Sequence, residues 1–201
     1  MSARLTSRGA ATRQRLVAGA ALLMREHGAA ETSLDQVLQA TSTSKSQLFH
    51  YFPDGRAGLL LAVTDYEAEQ VLEAQRPQID DLSTVETWKV WRDTVVNHYA
   101  SLGQRCPLGA LTSELGNSSP EARRVVSDLY DRWEGALIKG IQALLVAGLV
   151  PADLLVRDTA RTILTAIQGG AVMLRATGRL AYLETALDAA LRPILGALVP
   201  A

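Results

Sequence analysis

The sequence predicts an all-α protein: a small three-helix N-terminal domain (residues 1–55) and a larger C-terminal helical domain (residues 56–201), about nine helices in all. Three observations carry this. No run alternates β-branched and polar residues, and no Asn-Gly or Asp-Gly pair separates two such runs, so strand signals are lacking. Apolar residues recur at spacings of three and four along most of the chain. Short Ser-, Thr-, Gly- and Pro-bearing breaks fall where helix caps and stops belong.

In order along the chain, Thr12 to His27 reads as a first helix with Leu16, Ala20 and Leu23 on one face and Gly28 as its stop. Two short helices follow. Each opens with a capping-box pattern, Ser33-Leu-Asp-Gln36 and Ser44-Lys-Ser-Gln47, in which Ser caps backbone donors and the Gln reaches back. Helices this short need neighbours to be stable; Leu34, Val37, Leu38, Leu48 and Phe52 supply the packing. Arg56 to Arg76 reads as a connector whose apolar face fades beyond Tyr66. Thr84 to Leu102 carries Trp88, Trp91, Val95, Tyr99 and Leu102. After a short segment, Leu108 to Leu115, the Ser119-Pro-Glu cap opens the longest stripe, from Val126 through Trp133 to Leu144. Two final stripes, about Asp153 to Thr177 and Gly178 to Leu198, are strongly apolar.

Composition narrows the class. The chain has 201 residues, 48% of them apolar and 20% charged, a globular balance. Its start has no continuous apolar segment of the secretory type, and its most apolar stretch, Ile141 to Val150, is about half of what a membrane span needs, so a cytoplasmic protein without membrane contact is expected. A lone cysteine, Cys106, excludes an intrachain disulfide and a cysteine-paired metal site, and no cofactor or metal motif is present. Residues 1–56 hold seven Lys and Arg against four acids in a chain whose net charge is −1, so the cationic excess lies at the N-terminal end.

The most specific signal is the run from Thr32 to Phe52: two capped short helices around the tight turn Thr41-Ser42-Thr43, preceded by a helix with Arg13 and Arg15 on its polar side. That is a helix-turn-helix. Its second helix exposes Lys45, Ser46, Gln47 and His50 around Leu48, groups that donate to phosphates and read base edges in a major groove, with Gln47 the natural base reader. Lys45 in a helix's first turn opposes the macrodipole. A phosphate over that N-terminus would use both the free N–H groups and the ammonium.

Residues 12–63 resemble the DNA-binding domain of the TetR family: Thr12-Arg13, Gly28, Thr32-Ser33, Ser44-Lys45 and Leu48-Phe49-His50-Tyr51-Phe52 carry the likeness. The resemblance implies a ligand-responsive repressor of nine or ten helices per subunit. It implies a homodimer built from the last two helices, a palindromic double-stranded DNA operator, and a small-molecule effector bound in the C-terminal ligand-binding and dimerisation domain. Three positions depart from the family pattern. Ser42 stands for a turn glycine, Phe49 for a common tyrosine, and Tyr51 where His is frequent, so Thr43, Ser44 and Tyr51 join the expected phosphate contacts. Arg56 takes the place of the usual lysine opening the fourth helix.

Cys106-Pro-Leu-Gly109, Leu111 and Glu114-Leu115 resemble an LmrA-type subgroup, some of whose members respond to flavonoids or other planar aromatic drugs. This makes Trp88, Trp91, His98, Tyr99, Cys106, Leu111, Glu114, Trp133 and Gln168 the candidate effector contacts, in a stripe that core packing explains equally. Cys106 itself reads as a small buried hydrophobe. Gly169-Gly170 inside a strong helix signals close helix packing or room for a ligand. Leu180, Leu187, Leu191 and Ile194 are the expected dimer contacts, unsorted from core. Three rival readings remain. One is an enzyme using His98, Cys106 and Glu114, which lacks any phosphate loop, nucleophile elbow or metal-spaced cluster. The second is an all-helical small-molecule-binding protein without DNA function, and the third is a transcriptional activator of the same fold.

Overall fold

The computed structural model describes residues 6–103 and 117–196. Among these the secondary structure is eight α-helices and one 3₁₀ turn: α1 Ser7–His27, α2 Leu34–Thr41, α3 Lys45–Tyr51, α4 Arg56–Glu73, the turn Gln78–Asp80, α5 Val85–Leu102, α6 Pro120–Val146, α7 Val156–Thr177 and α8 Ala181–Leu195. No strand occurs among the described residues. Chain contacts divide the molecule into two compact units. The first holds α1 to α3, α4 as far as Glu69, and the start of α6 up to Val126; the second holds the remainder.

α1 starts earlier than the sequence pattern predicts. Thr6, not Thr12, is its cap, accepting from the Gly9 N–H at 3.2 Å. Thr12 sits inside the helix because its hydroxyl donates to the Arg8 carbonyl one turn back, at 3.0 Å, so the residue has no need of a terminus. Gly28 ends the helix at φ 90° with its N–H on the Met24 carbonyl. Both capping boxes form: Ser33 with Gln36, and Ser44 with Gln47, each with the serine oxygen on the Gln N–H and the amide oxygen on the serine N–H.

α1 and α2 cross closely at Gly19, where a Cβ would lie 2.4 Å from Thr41 Cγ2. Arg15 Nε reaches the same turn, donating to the Thr41 carbonyl at 3.1 Å. The turn closes with Ser42 in the left-handed region (φ 50°, ψ 45°) and the Thr43 N–H on the Leu38 carbonyl. Ser42 thus takes the conformation that a glycine would hold without strain.

α4 is fastened into the first unit at two places. The Arg56 guanidinium donates from Nη1 to the Thr32 carbonyl and from Nη2 to the Ala29 carbonyl. Three turns on, Glu67, only 1% exposed, receives both of its bonds from Arg25 Nη1 of α1, at 3.0 and 3.1 Å. The first unit therefore extends past residue 55, where the sequence pattern placed the boundary. Nor does the apolar face of α4 fade at Tyr66, for Ala68, Val71 and Leu72 are buried.

The second unit is built on α7 against α8, with α5 also packed on α8. Gly170 makes the α7–α8 approach possible: a Cβ there would lie 2.5 Å from the Leu183 Cα. Arg92 of α5 clamps Asp188 of α8 through Nε–Oδ1 at 2.7 Å and Nη2–Oδ2 at 2.9 Å. α6, at 27 residues, is the longest helix described, as expected. Leu187, Leu191 and Ile194 corrected an expectation. Each is buried within its own subunit, because the α8 stripe faces the α5 and α7 side; these three are core and Leu180 is half-buried. The apolar surface that α7 and α8 leave outward is instead Val172, Met173 and Tyr182.

Candidate nucleic-acid interface and effector core

α3, the second helix of the helix-turn-helix, is seven residues long, and three features fix it. Its N-terminus is closed by the Ser44–Gln47 box at 2.9 and 3.2 Å. Leu48 anchors it at 1% exposure, and the Phe52 N–H ends it on the Leu48 carbonyl. Around this anchor Ser44, Lys45, Ser46, Gln47, Phe49 and His50 are all exposed, and Tyr51 is half-buried with its ring edge-on to His50 at 4.9 Å. Ser46 and His50, one turn apart, project from the side opposite Leu48, and Lys45 and Gln47 flank them. Phe49 gains its place from Gly55, where a Cβ would come within 3.2 Å of the ring and φ is +58°.

Two expected phosphate contacts, Thr43 and Arg56, are turned inward in this structure. Thr43 is buried, and its hydroxyl shares a 2.6 Å hydrogen bond with Thr41, so the side chain holds the turn together instead of facing outward. The Arg56 guanidinium is turned onto the Ala29 and Thr32 carbonyls, which makes it a strut between α4 and the α1–α2 loop. Gln47 keeps its position, but its amide oxygen is one half of the capping box. Pairing with adenine in the two-bond manner would call on that same oxygen. What the sequence pattern missed is the stacking of Arg13 over Phe52 at 5.3 Å, and the neighbouring Asp65, exposed yet with its carboxyl pushed up by partial desolvation against the opposing pull of Arg13 and with a further push from Glu69.

Of the expected effector contacts, Cys106, Leu111 and Glu114 lie outside the described residues. Trp88, Trp91 and Trp133 are the three largest side chains of the core, each at most 1% exposed. Trp88 meets Trp91 edge to face at 5.4 Å, and the Trp91 indole donates to Gln75 Oε1 at 3.0 Å. Gln75 in turn is oriented by donating to the Val71 carbonyl at 2.8 Å. Tyr99 is buried. His98 is half-buried, edge-on to Tyr99 at 5.7 Å, and desolvation pulls its imidazole below the usual range, toward the neutral form. Gln168 belongs to a different place: with Tyr130, whose hydroxyl donates to it at 2.8 Å, it lines a groove of about 430 Å³ between α6 and α7, with Arg161, Leu164 and Gly169. None of the three tryptophans lines that groove.

No group of three or more His, Cys, Asp or Glu able to hold a metal ion occurs among the described residues, and no described helix is long and apolar enough to cross a membrane.

Comparison with known proteins places this geometry. Residues 16–63 match the model of the bacterial regulatory proteins of the tetR family, and residues 86–189 match the C-terminal domain of LmrA/YxaF-like transcriptional regulators. A Mycobacterium tuberculosis HTH-type transcriptional regulator is 31% identical over 127 residues, 60% of this chain and 64% of the relative, so the match spans somewhat under two thirds of that protein. A Lactococcus lactis HTH-type regulator is 26% identical over 184 residues, 88% of this chain and 90% of its own. Among solved structures, a TetR transcriptional regulator from Chloroflexus aurantiacus superposes with a TM-score of 0.78 at 24% identity, covering 92% of this chain and 94% of that one. With a capped helix-turn-helix at one end and an LmrA/YxaF-like helical domain over more than half its length, the chain belongs to the TetR family of transcriptional regulators.

Proposed function

We propose that the protein is a ligand-responsive transcriptional repressor that binds a palindromic DNA operator as a homodimer and is released by a small apolar or aromatic effector. The observation that carries the reading is α3: a helix anchored on Leu48 and closed by a double cap, whose outward residues are Lys45, Ser46, Gln47 and His50. Ser46 and His50 read base edges. Lys45, Ser44 and Tyr51 hold phosphates, the lysine beside the first-turn N–H groups where an anion also answers the helix dipole. Thr43 and Arg56 support these residues from behind. The outward surface of Val172, Met173 and Tyr182 on α7 and α8 serves the dimer contact. In such a dimer the two recognition helices must sit about 34–36 Å apart to enter successive major grooves. An effector acts by changing that separation, with a coupling of roughly 1–3 kcal/mol.

The test is fluorescence anisotropy of the protein on the DNA upstream of its own gene, against an unrelated fragment and across a salt series. Fragment-selective binding by two subunits per site, weakening with salt, is expected. Lys45→Ala should lower affinity on both fragments and reduce the salt slope by about 2, one phosphate contact from each subunit, whereas His50→Ala should lower the preference between them. Equal binding of both fragments by a protein that stays folded would overturn the α3 assignment.

A further inference from the structure

The two short helices of the helix-turn-helix open with the same device, a glutamine reaching back to the backbone N–H of the serine three residues before it. On α3 the Ser44 N–H donates to Gln47 Oε1 at 2.9 Å, and the Gln47 N–H returns a bond to Ser44 Oγ at 3.2 Å. A backbone N–H only donates, so it fixes which end of the amide faces it: the oxygen is drawn back onto the helix start, and the NH₂ is left over. That NH₂ has no partner among the described residues, on a side chain that is exposed.

The cap changes what a glutamine reads. An unrestrained Gln amide presents one donor beside one acceptor, which matches the N7 and N6 edge of adenine. Gln47 meets that edge only at a cost. Either adenine's amino group shares the oxygen with the Ser44 N–H, one donor crowding another, or the amide swings away and strips Ser44 of its acceptor. The free NH₂ carries two hydrogens. Guanine answers both, with O6 and N7 side by side as acceptors; thymine offers O4 alone, and cytosine only an amino donor of its own.

We propose that Gln47 is a specificity-determining residue that reads guanine in each operator half-site, with thymine the second choice, because its cap leaves it with donors alone. This rests on the DNA-binding reading above and deepens it, adding a base position to those that Ser46 and His50 contact. Gln36 supplies an internal comparison. It closes the same box on α2, with its oxygen on the Ser33 N–H at 2.7 Å, and it is exposed as well, but it lies on the first helix of the pair. The device is shared, and only the one on α3 meets bases.

The test is selection of bound duplexes from a random-sequence library by the full-length protein and by its Gln47→Ala, Gln47→Glu and Gln36→Glu variants. Both glutamines are exposed, and glutamate closes a capping box as glutamine does, so the two Glu variants keep their helix starts. The parent should select a two-fold symmetric sequence with guanine at one position per half-site, a position at which Gln47→Ala selects nothing. Gln47→Glu keeps one oxygen on Ser44 and puts a second where the NH₂ was. The same position should then turn to cytosine, whose amino group donates. Gln36→Glu should return the parent's sequence. Anisotropy on single duplexes should show the parent losing about 5-fold in affinity for each guanine replaced by adenine, and Gln47→Ala losing nothing. Thymine selected at that position keeps the donor-only assignment. Adenine or cytosine selected there by the parent, or a parent sequence that neither Gln47 variant alters, would overturn it. Either result from a parent that still selects a symmetric sequence removes the Gln47 assignment alone, whereas a parent that selects no sequence removes the DNA-binding reading and this assignment with it.

Discussion

The two units differ in how much of their packing rests on directional bonds. In the first, polar side chains, exposed and buried alike, are tied to backbone or to each other: Ser33 and Ser44 to helix N-termini, Thr41 to Thr43, Arg15 and Arg56 to loop carbonyls, Glu67 to Arg25. In the second, the core is mostly indole, leucine and a glycine contact, with Trp91 bonded to Gln75 and two indole N–H groups without a partner among the described residues. A surface that must present Lys45, Ser46 and His50 in one fixed register gains from directional bonds, which specify orientation. A core held by apolar packing gains its stability from filled space instead, and it responds to changes of volume more than to the loss of a single bond.

If the second unit is governed by packing, its largest response should come from filling space that is already occupied. Gly170→Ala places a methyl 2.5 Å from the Leu183 Cα, an atom that cannot rotate away. A loss of about 3 kcal/mol is expected, the upper end of the overpacking range. Gly169, the next residue, has nothing within 4 Å of an added Cβ, so Gly169→Ala should gain about 0.5–1 kcal/mol from helix entropy. All three tryptophans lie in the second unit, so thermal unfolding followed by their emission reports on it directly. Equal effects at the two glycines would mean that α7 and α8 do not meet at Gly170.

The first unit should respond most to breaking a bond and little to removing both ends of it. Burial pushes the Glu67 carboxyl up, and the Arg25 guanidinium opposes that push. Arg25→Met leaves a carboxylate in an apolar site, at a cost of about 2 kcal/mol, less than for a fully buried pair because the arginine is 22% exposed. Arg25→Met with Glu67→Leu should return to within about 1 kcal/mol of the parent. The sign with pH follows from the direction of the shift. A carboxyl whose folded pKa is raised above the unfolded value holds its proton better when folded, so the single variant should lose stability as pH rises from the ordinary Glu value of 4.5 through the raised folded value. Urea titrations of the single and double variants at several pH values measure both effects. A double variant as weak as the single one would show that the pair packs the α1–α4 contact in a way that apolar side chains cannot replace.

How much of this could be read from the sequence depended on range. Caps act over three residues, so Ser33-Gln36, Ser44-Gln47 and the Gly28 stop were legible, and so were the helices that they bound. Partners 24 to 42 residues away were not: nothing local says that Arg56 turns to Ala29 and Thr32, or that Arg25 meets Glu67. Periodicity marks an apolar face without saying what covers it, which is why Leu187, Leu191 and Ile194 could stand for an interface and prove to be core. Gln47 shows a subtler limit. The sequence assigns it both the cap and the base reading, and only the geometry shows that the two uses draw on one amide oxygen.

A small effect in the first unit tests whether its directional bonds outweigh backbone strain. Ser42 is the one non-glycine residue at positive φ among those described, and it closes the turn between α2 and α3. Left-handed backbone costs an L-residue roughly 1–2 kcal/mol. The serine is exposed, and the turn is held instead by the Thr43 N–H on Leu38 and by the Thr41–Thr43 hydroxyl pair. Ser42→Gly should therefore stabilise the first unit by about 1 kcal/mol, read as slower hydrogen exchange at the Val37 and Leu48 amides, while the tryptophan-monitored transition stays where it is. Ser42→Val should shift the same amides the other way, because a β-branched side chain tolerates this backbone least. If glycine instead speeds exchange, the serine's restriction of the unfolded chain outweighs its strain in the turn, and the turn's conformation is set by the bonds around it and not by the residue at its centre.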